Sequence, residues 1–270
     1  MREGASGPIV DLTLSDDEVI DLCDDTSAYR EDDASIKNVI AGNPITRRHV
    51  EILQDGHWLN DEIINAYLFI VENSLKTSKV ACLNTYFHPK FTKEGISPSV
   101  LRWMSKQAGQ DLGQLDYLFI PVNLNNTHWA LITYQPASRT LSYLDSMLNR
   151  RAGMALLEKY RPLLEKLHPP PSPIARPPGP KQSSSSGLAA YLAVKLMGSL
   201  SLSEPKTKSE LTLRILDGQP QQTDGSSCGV FVCKWVQVLA NCPTARFDQT
   251  QVSGHRKVIL DALLTYKSQS

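Results

Sequence analysis

Residues 219–241, QPQQTDGSSCGVFVCKWVQVLAN, set a polar, glycine-bearing loop directly against an apolar run with helical spacing. Val232, Trp235, Val236 and Leu239 recur at intervals of three and four, so they are expected to share one face of a buried helix. Cys228 falls in the first turn of that helix. Backbone N–H groups there lack intrahelical acceptors, and the positive end of the helix dipole favours thiolate over thiol. Gly229 beside it is expected to leave room for a substrate backbone. A core cysteine with no chemical role satisfies the same pattern, because free cysteine is among the most buried residue types. What the upstream chain can bring to the sulfur decides between the two.

Three upstream segments read as strands. Leu115–Leu124, His128–Gln135 and Thr140–Asp145 are rich in β-branched and aromatic residues, with Asn125-Asn126-Thr127 and Pro136-Ala137-Ser138 as turns. An antiparallel meander is the simplest topology. If the second turn centres near Ala137, His128 lies opposite Ser146, next to Asp145. The start of one strand and the end of the next then bring a histidine and an aspartate to one sheet edge.

Elsewhere the pattern predicts a helix after Asn60 or Asp61, with Ile63, Ile64, Tyr67, Leu68 and Val71 as its apolar face. Residues 82–87 read as a strand or a helix-flanking segment and residues 100–105 as helical. Ala152–Leu167 is a helix pair broken at Pro162 or one kinked helix. Leu211–Leu216 alternates as a strand, and Val258–Tyr266 forms a last helix. Residues 168–210 are read as a low-complexity insertion of proline and serine clusters, with a short apolar helix at Leu188–Leu200.

Charge divides the chain. Between Asp11 and Asp33 there are ten acidic residues and one basic one, while the remainder carries a net charge of +9. Residues 1–40 are therefore read as a disordered acidic tail and 41–270 as the folded domain. Within the tail, Ile9-Val10-Asp11-Leu12 and Val19-Ile20-Asp21-Leu22 each precede an acidic cluster. Such segments add a strand to another protein's sheet edge and resemble SUMO-interacting motifs. The alternative is a solvated tail with incidental aliphatics. Without dense basic blocks, nucleic acid is excluded as the main ligand, and no apolar run approaches the roughly 18 residues that span a membrane. Acidic residues follow the amino terminus at once, which argues against a secretory route. The five cysteines include no zinc-type CxxC pair, which fits reduced thiols.

Together, a helix-terminal cysteine, a strand-borne histidine and a neighbouring aspartate are the parts of a Cys-His-Asp triad. His128 takes the Cys228 proton, and Asp145 fixes the imidazole tautomer and stabilises its charge. Gln222, six residues before Cys228, supplies a side-chain N–H to an oxyanion, with the Cys228 backbone N–H as the second donor. Among the other histidines, His57 is the competitor for the base. His168 and His255 are expected to be solvated, and Cys82, Cys233 and Cys242 to serve packing.

Four stretches now stand in one order: Trp58-Leu59-Asn60-Asp61, His128-Trp129-Ala130-Leu131, Tyr143-Leu144-Asp145-Ser146 and Gln222 to Val230. They resemble the signatures of the SUMO-specific (sentrin-specific, ubiquitin-like-protein-specific) cysteine proteases, over residues 45–165 and 211–242. The resemblance implies an α+β, papain-like fold: a central, mostly antiparallel sheet flanked by helices, with the catalytic cysteine at a helix N-terminus. It implies His128, Asp145 and Cys228 as the triad and Gln222 as the oxyanion-hole glutamine. It also implies Trp58 and Trp129 as the roof of a narrow tunnel over a Gly-Gly tail, and Asp61 as a contact to the ubiquitin-like body. The implied activity is isopeptide cleavage after the C-terminal glycine of SUMO, and maturation of SUMO precursors. SUMO and its conjugates are the implied partners of a nuclear or cytoplasmic monomer, with no metal or organic cofactor. The alternatives are a NEDD8- or ubiquitin-directed protease on the same scaffold, or an inactive SUMO-binding scaffold if the insertion disturbs the cysteine loop.

Overall fold

The computed structural model describes residues 36–75, 79–109, 111–170, 210–241 and 246–267. Ile9, Val10, Leu12, Val19, Ile20 and Leu22 of the tail, residues 171–209 of the expected insertion, and Cys242 lie outside them.

A five-stranded sheet organises the domain, with a three-stranded meander at its centre and one short strand at each edge. Strands β4 (Tyr117–Leu124), β5 (His128–Gln135) and β6 (Thr140–Leu144) form the expected antiparallel meander. Short strands β3 (Val80–Cys82) and β7 (Thr212–Ile215) add in parallel at its two edges. A separate hairpin joins β1 (Ile36–Ile40) to β2 (Asn43–Thr46), so residues 36–40 are strand although the composition placed them in the tail.

Alternation along the central strands sends side chains into two cores. Phe119, Trp129, Leu131 and Leu144 point to one side, against helix α2 (Asp61–Ser74), the cysteine helix α6 (Cys228–Asn241) and the last helix α7 (Val252–Thr265). Leu118, Ile120, Ala130, Ile132, Tyr134, Leu141 and Tyr143 point to the other, against α3 (Phe87–Glu94), α4 (Pro98–Ala108) and α5 (Arg150–Leu167). Burial on both faces explains the near-continuous apolar runs of these strands. Helix α1 (Arg47–Ile52) follows β2.

Local signals set several boundaries. The Asn60 side chain accepts from the Ile63 N–H at 3.0 Å, a cap worth about 1 kcal/mol. Asn125 and Asn126 both take positive φ in the β4–β5 turn, as Asn tolerates better than most residues. The next turn runs one residue longer than expected. Arg139 sits at φ 48° and donates its N–H to the Pro136 carbonyl, so Leu131 pairs with Leu144 and Gln135 with Thr140. The register is thus shifted by one from the expectation for His128 and Ser146. Helix α5 runs unbroken through Pro162.

Two histidine expectations are overturned. His168 ends α5 with its ring on the Tyr134 hydroxyl at 2.7 Å, and its carbonyl accepts from Arg139 Nη1. His255 is 1% exposed, edge-on to Tyr67, with neither ring nitrogen hydrogen-bonded. It occupies an apolar position of α7, in step with Val252, Ile259 and Leu263. Solvation was expected because the helix starts at Val252, six residues earlier than its apolar residues alone mark.

Burial, with the Lys234 charge adding to it, lowers the His255 pKa well below 6.5. A histidine depressed in this way contributes stability that is present above the unfolded value and is lost as pH falls through and below about 6.5. Each proton so linked costs up to about 1.4 kcal/mol per pH unit. His255→Phe keeps an edge-on ring beside Tyr67. It is expected to flatten the fall of the thermal midpoint between pH 7 and pH 5; an equally steep fall would rule out His255 as its source.

Candidate active site

Cys228 is the first residue of α6 and is 3% exposed. One carboxylate shapes the loop before it. Asp224 Oδ1 accepts the backbone N–H groups of Ser226 (2.7 Å) and Ser227 (2.8 Å). Its Oδ2 accepts the Ser227 hydroxyl (2.7 Å) and Gln249 Nε2 (2.9 Å). Partial burial works against the charge, but the hydrogen bonds from Ser226 and Ser227 outweigh it and lower the Asp224 pKa.

His128 opens β5 and bridges the sulfur to a buried acid. Its Nε2 lies 2.6 Å from Asp145 Oδ1, and Cys228 lies near enough to the ring to help raise its pKa. Asp145 follows β6 directly, beyond the paired ladder, so the one-residue register shift does not separate the two side chains. Its oxygens are fully engaged. Oδ1 also accepts the Met147 N–H, while Oδ2 accepts the Tyr143 hydroxyl and the Asn149 N–H, at 2.8–2.9 Å.

This arrangement separates the two titrations. Burial disfavours the imidazolium, but hydrogen bonds to Asp145 and Cys228, with their charges, raise the His128 pKa to about 9. Burial alone would raise Asp145; the bonds from His128 and from the Met147 and Asn149 N–H groups bring it down to about 2. The site therefore holds a carboxylate and an imidazolium across the neutral range.

Gln222 is tied to the turn that carries Asp145. Its N–H donates to the Ser146 carbonyl, and its Oε1 accepts the Ser146 hydroxyl at 2.6 Å. That contact makes Nε2 the donor end. One Nε2 hydrogen goes to the Asp224 carbonyl at 2.7 Å, and the second is left for another acceptor.

The two tryptophans differ. Trp58 is 51% exposed and donates its indole N–H to the Gly225 carbonyl at 2.7 Å. Trp129 is buried, donates to the Leu59 carbonyl, and lies beside Gly229. A Cβ on Gly229 would stand 2.9 Å from Leu59 Cβ and 3.3 Å from Trp129 Cδ1. The missing side chain thus admits the protein's own Leu59 and Trp129, a correction to the expectation that it leaves space for a substrate. Asp61 lies in the first turn of α2, partly exposed. With Glu62 it adds to partial burial in raising the Tyr86 pKa. His57 is exposed, and its carbonyl accepts from Arg256; His128 is the histidine that couples to both Asp145 and Cys228.

Tyr143, Ser146 and Asp224 were not assigned a role from the sequence, although all three lie in the stretches that carry the resemblance. Tyr143 is two residues from Asp145, the spacing that shares a strand face, and Asp-Gly-Ser-Ser is a turn sequence. Arg256, a helix away from the cysteine, lies outside those stretches.

A cysteine at a helix start, a histidine from the sheet and a buried aspartate, on an α+β frame, define a cysteine-protease-type site. The chain belongs to the Ulp1 protease family: the model of its C-terminal catalytic domain matches residues 57–167 and 183–263. The match breaks only over 168–182, so much of the segment read as an insertion lies inside it. Sentrin-specific protease 2 of Rattus norvegicus is 29% identical over 232 residues, 82% of this chain and 32% of that protein. Ubiquitin-like-specific protease 1 of Saccharomyces cerevisiae is 34% identical over 121 residues, 43% of this chain and 19% of that protein. The chain spans about a third of the length of the sentrin-specific protease 2 relatives it matches. The fold is shared with the C-terminal Ulp1 protease domain solved in complex with Smt3, the yeast ortholog of SUMO. The TM-score is 0.66 at 22% identity, over 88% of this chain and 91% of that one.

Asp145→Asn removes the charge that holds the imidazolium. It is expected to lower kcat by about a thousandfold or more and to move the alkaline limb of the pH–rate profile down from about 9. A limb that stays in place would show that Asp145 does not set the His128 pKa.

Proposed function

We propose that this chain is a SUMO-directed cysteine protease that cuts after the C-terminal Gly-Gly of SUMO, releasing it from substrate lysines and maturing its precursors. The observation that carries the reading is the placement of His128 between Cys228 and the buried Asp145, in a chain of the Ulp1 family. The direction toward SUMO is supported by the names of the relatives and by the Smt3 complex of a neighbouring fold.

The residues supply each step. The Cys228 thiolate attacks the glycine carbonyl carbon, and the Cys228 N–H and the free Gln222 Nε2 hydrogen take the oxyanion. The His128 imidazolium gives its proton to the departing lysine amine, leaving a thioester. Water, deprotonated by the same ring, then hydrolyses the thioester and regenerates the thiolate–imidazolium pair. Trp58 over the Gly225 carbonyl, with Trp129 behind it, narrows the approach so that glycines pass and larger side chains do not. Asp61 contacts the modifier's body. The acidic tail, through Ile9, Val10, Leu12, Val19, Ile20 and Leu22, holds a SUMO chain near the site and raises its effective concentration. Nuclear residence, as a monomer, belongs to the same reading and rests on the partner.

One panel tests these points: SUMO, NEDD8 and ubiquitin with C-terminal electrophilic traps, each offered to wild type and Cys228→Ala. A SUMO adduct absent from Cys228→Ala is expected. Adducts with another modifier alone would redirect the specificity, and SUMO binding without adduct would leave a scaffold. In the same panel, Ala at Val10, Leu12, Ile20 and Leu22 is expected to weaken SUMO-chain capture and spare the single-SUMO adduct. Unchanged chain capture would remove the tail from the account.

A further inference from the structure

Arg256 lies on α7, 28 residues beyond the cysteine, and its side chain is 3% exposed. Its guanidinium is spent mainly on backbone carbonyls. Nη2 donates to the His57 carbonyl at 2.8 Å and to the Ser226 carbonyl at 3.4 Å, and Nη1 reaches the Ile52 carbonyl at 3.5 Å. These carbonyls come from two segments that meet at the Trp58–Gly225 hydrogen bond: residues 52–57, leading into Trp58, and the loop ending at Cys228. The nearest carboxylate, Asp55 at 3.5 Å, is 72% exposed and thus well screened by water.

We propose that Arg256 is a positioning residue for the reaction: its buried fork ties the Trp58 segment to the cysteine loop and keeps a positive charge within electrostatic reach of the Cys228 sulfur. A planar guanidinium suits both tasks, because it stays charged when buried and spans several acceptors at fixed angles. The bond to Ser226, two residues before Cys228, sets the guanidinium beside the cysteine loop; burial lowers the Arg256 pKa, and Asp55, Asp224, Cys228 and Cys233 act against that fall. The Trp58 indole donating to Gly225 joins the same two segments. Loss of the fork is expected to act on two observables: sulfur reactivity through charge, and tail binding through the Trp58 segment.

The inference rests on Cys228 being the nucleophile, and the test separates the two claims. Iodoacetamide alkylation at Cys228, read by mass spectrometry, needs no substrate, and is compared at pH 6.5 and pH 9 in wild type, Arg256→Met and Arg256→Lys. Arg256→Met is expected to alkylate about tenfold more slowly at pH 6.5 and near the wild-type rate at pH 9. Arg256→Lys keeps the charge but not the fork. It is expected to hold the pH 6.5 rate and to raise KM for a Gly-Gly-ended SUMO substrate severalfold. Melting curves confirm that each variant is folded at the assay temperature, and Arg256→Gln replaces Arg256→Met if that one is not. Rapid wild-type alkylation left unchanged by the neutral variants, or a lysine variant as slow as them, overturns the charge role. A lysine variant with unchanged KM overturns the seam. Wild-type Cys228 reacting at pH 6.5 no faster than a free cysteine removes the nucleophile itself.

Discussion

A fully buried carboxylate, Asp145, is the constraint on which the site depends. A carboxylate removed from water is stable only when its oxygens are engaged, and here a tyrosine hydroxyl, two backbone N–H groups and the His128 ring engage them. The aspartate in turn sustains an imidazolium in a partly buried position where a neutral ring would otherwise win. The electrostatics of the sulfur therefore begin with a turn at the end of β6.

The fold supplies this turn by layering. Both faces of the central strands are covered by helices, so β5 and β6 are packed up to their ends, where His128 and Asp145 sit. The cysteine arrives from a different layer, at the head of a buried helix. Side chains and carbonyls stitch the layers together: Trp129 to Leu59, Trp58 to Gly225, Ser146 to Gln222, and Arg256 to His57 and Ser226. Close approach at Gly229 lets Leu59 and Trp129 pack against the helix start.

Much of this was legible in the sequence where a short-range rule governed the outcome. Period-two strands, the Asn-Asn turn and the Asn60 cap are local, and they sufficed to bring His128 and Asp145 to one edge. The one-residue register difference arose at Arg139, whose left-handed backbone lengthened a turn that composition alone placed at Ala137. Contacts between distant segments were not legible. His255 was expected to be solvated and nothing in the pattern marked Arg256, yet both are buried, because α7 packs a histidine edge-on to a tyrosine and an arginine onto carbonyls. Gly229 was assigned to the substrate when its space is filled by Leu59, 170 positions away in the chain. The family resemblance, by contrast, stands on motifs that the profile match spans from residue 57 to 263.

The most direct test of the central claim is the nitrogen-15 chemical shift of the His128 ring followed from pH 5 to pH 10. The account predicts that both ring nitrogens keep their protons until a midpoint near about 9, and that Cys228→Ala lowers that midpoint. A wild-type ring that loses its proton near 6.5, the value of an ordinary histidine, would contradict it.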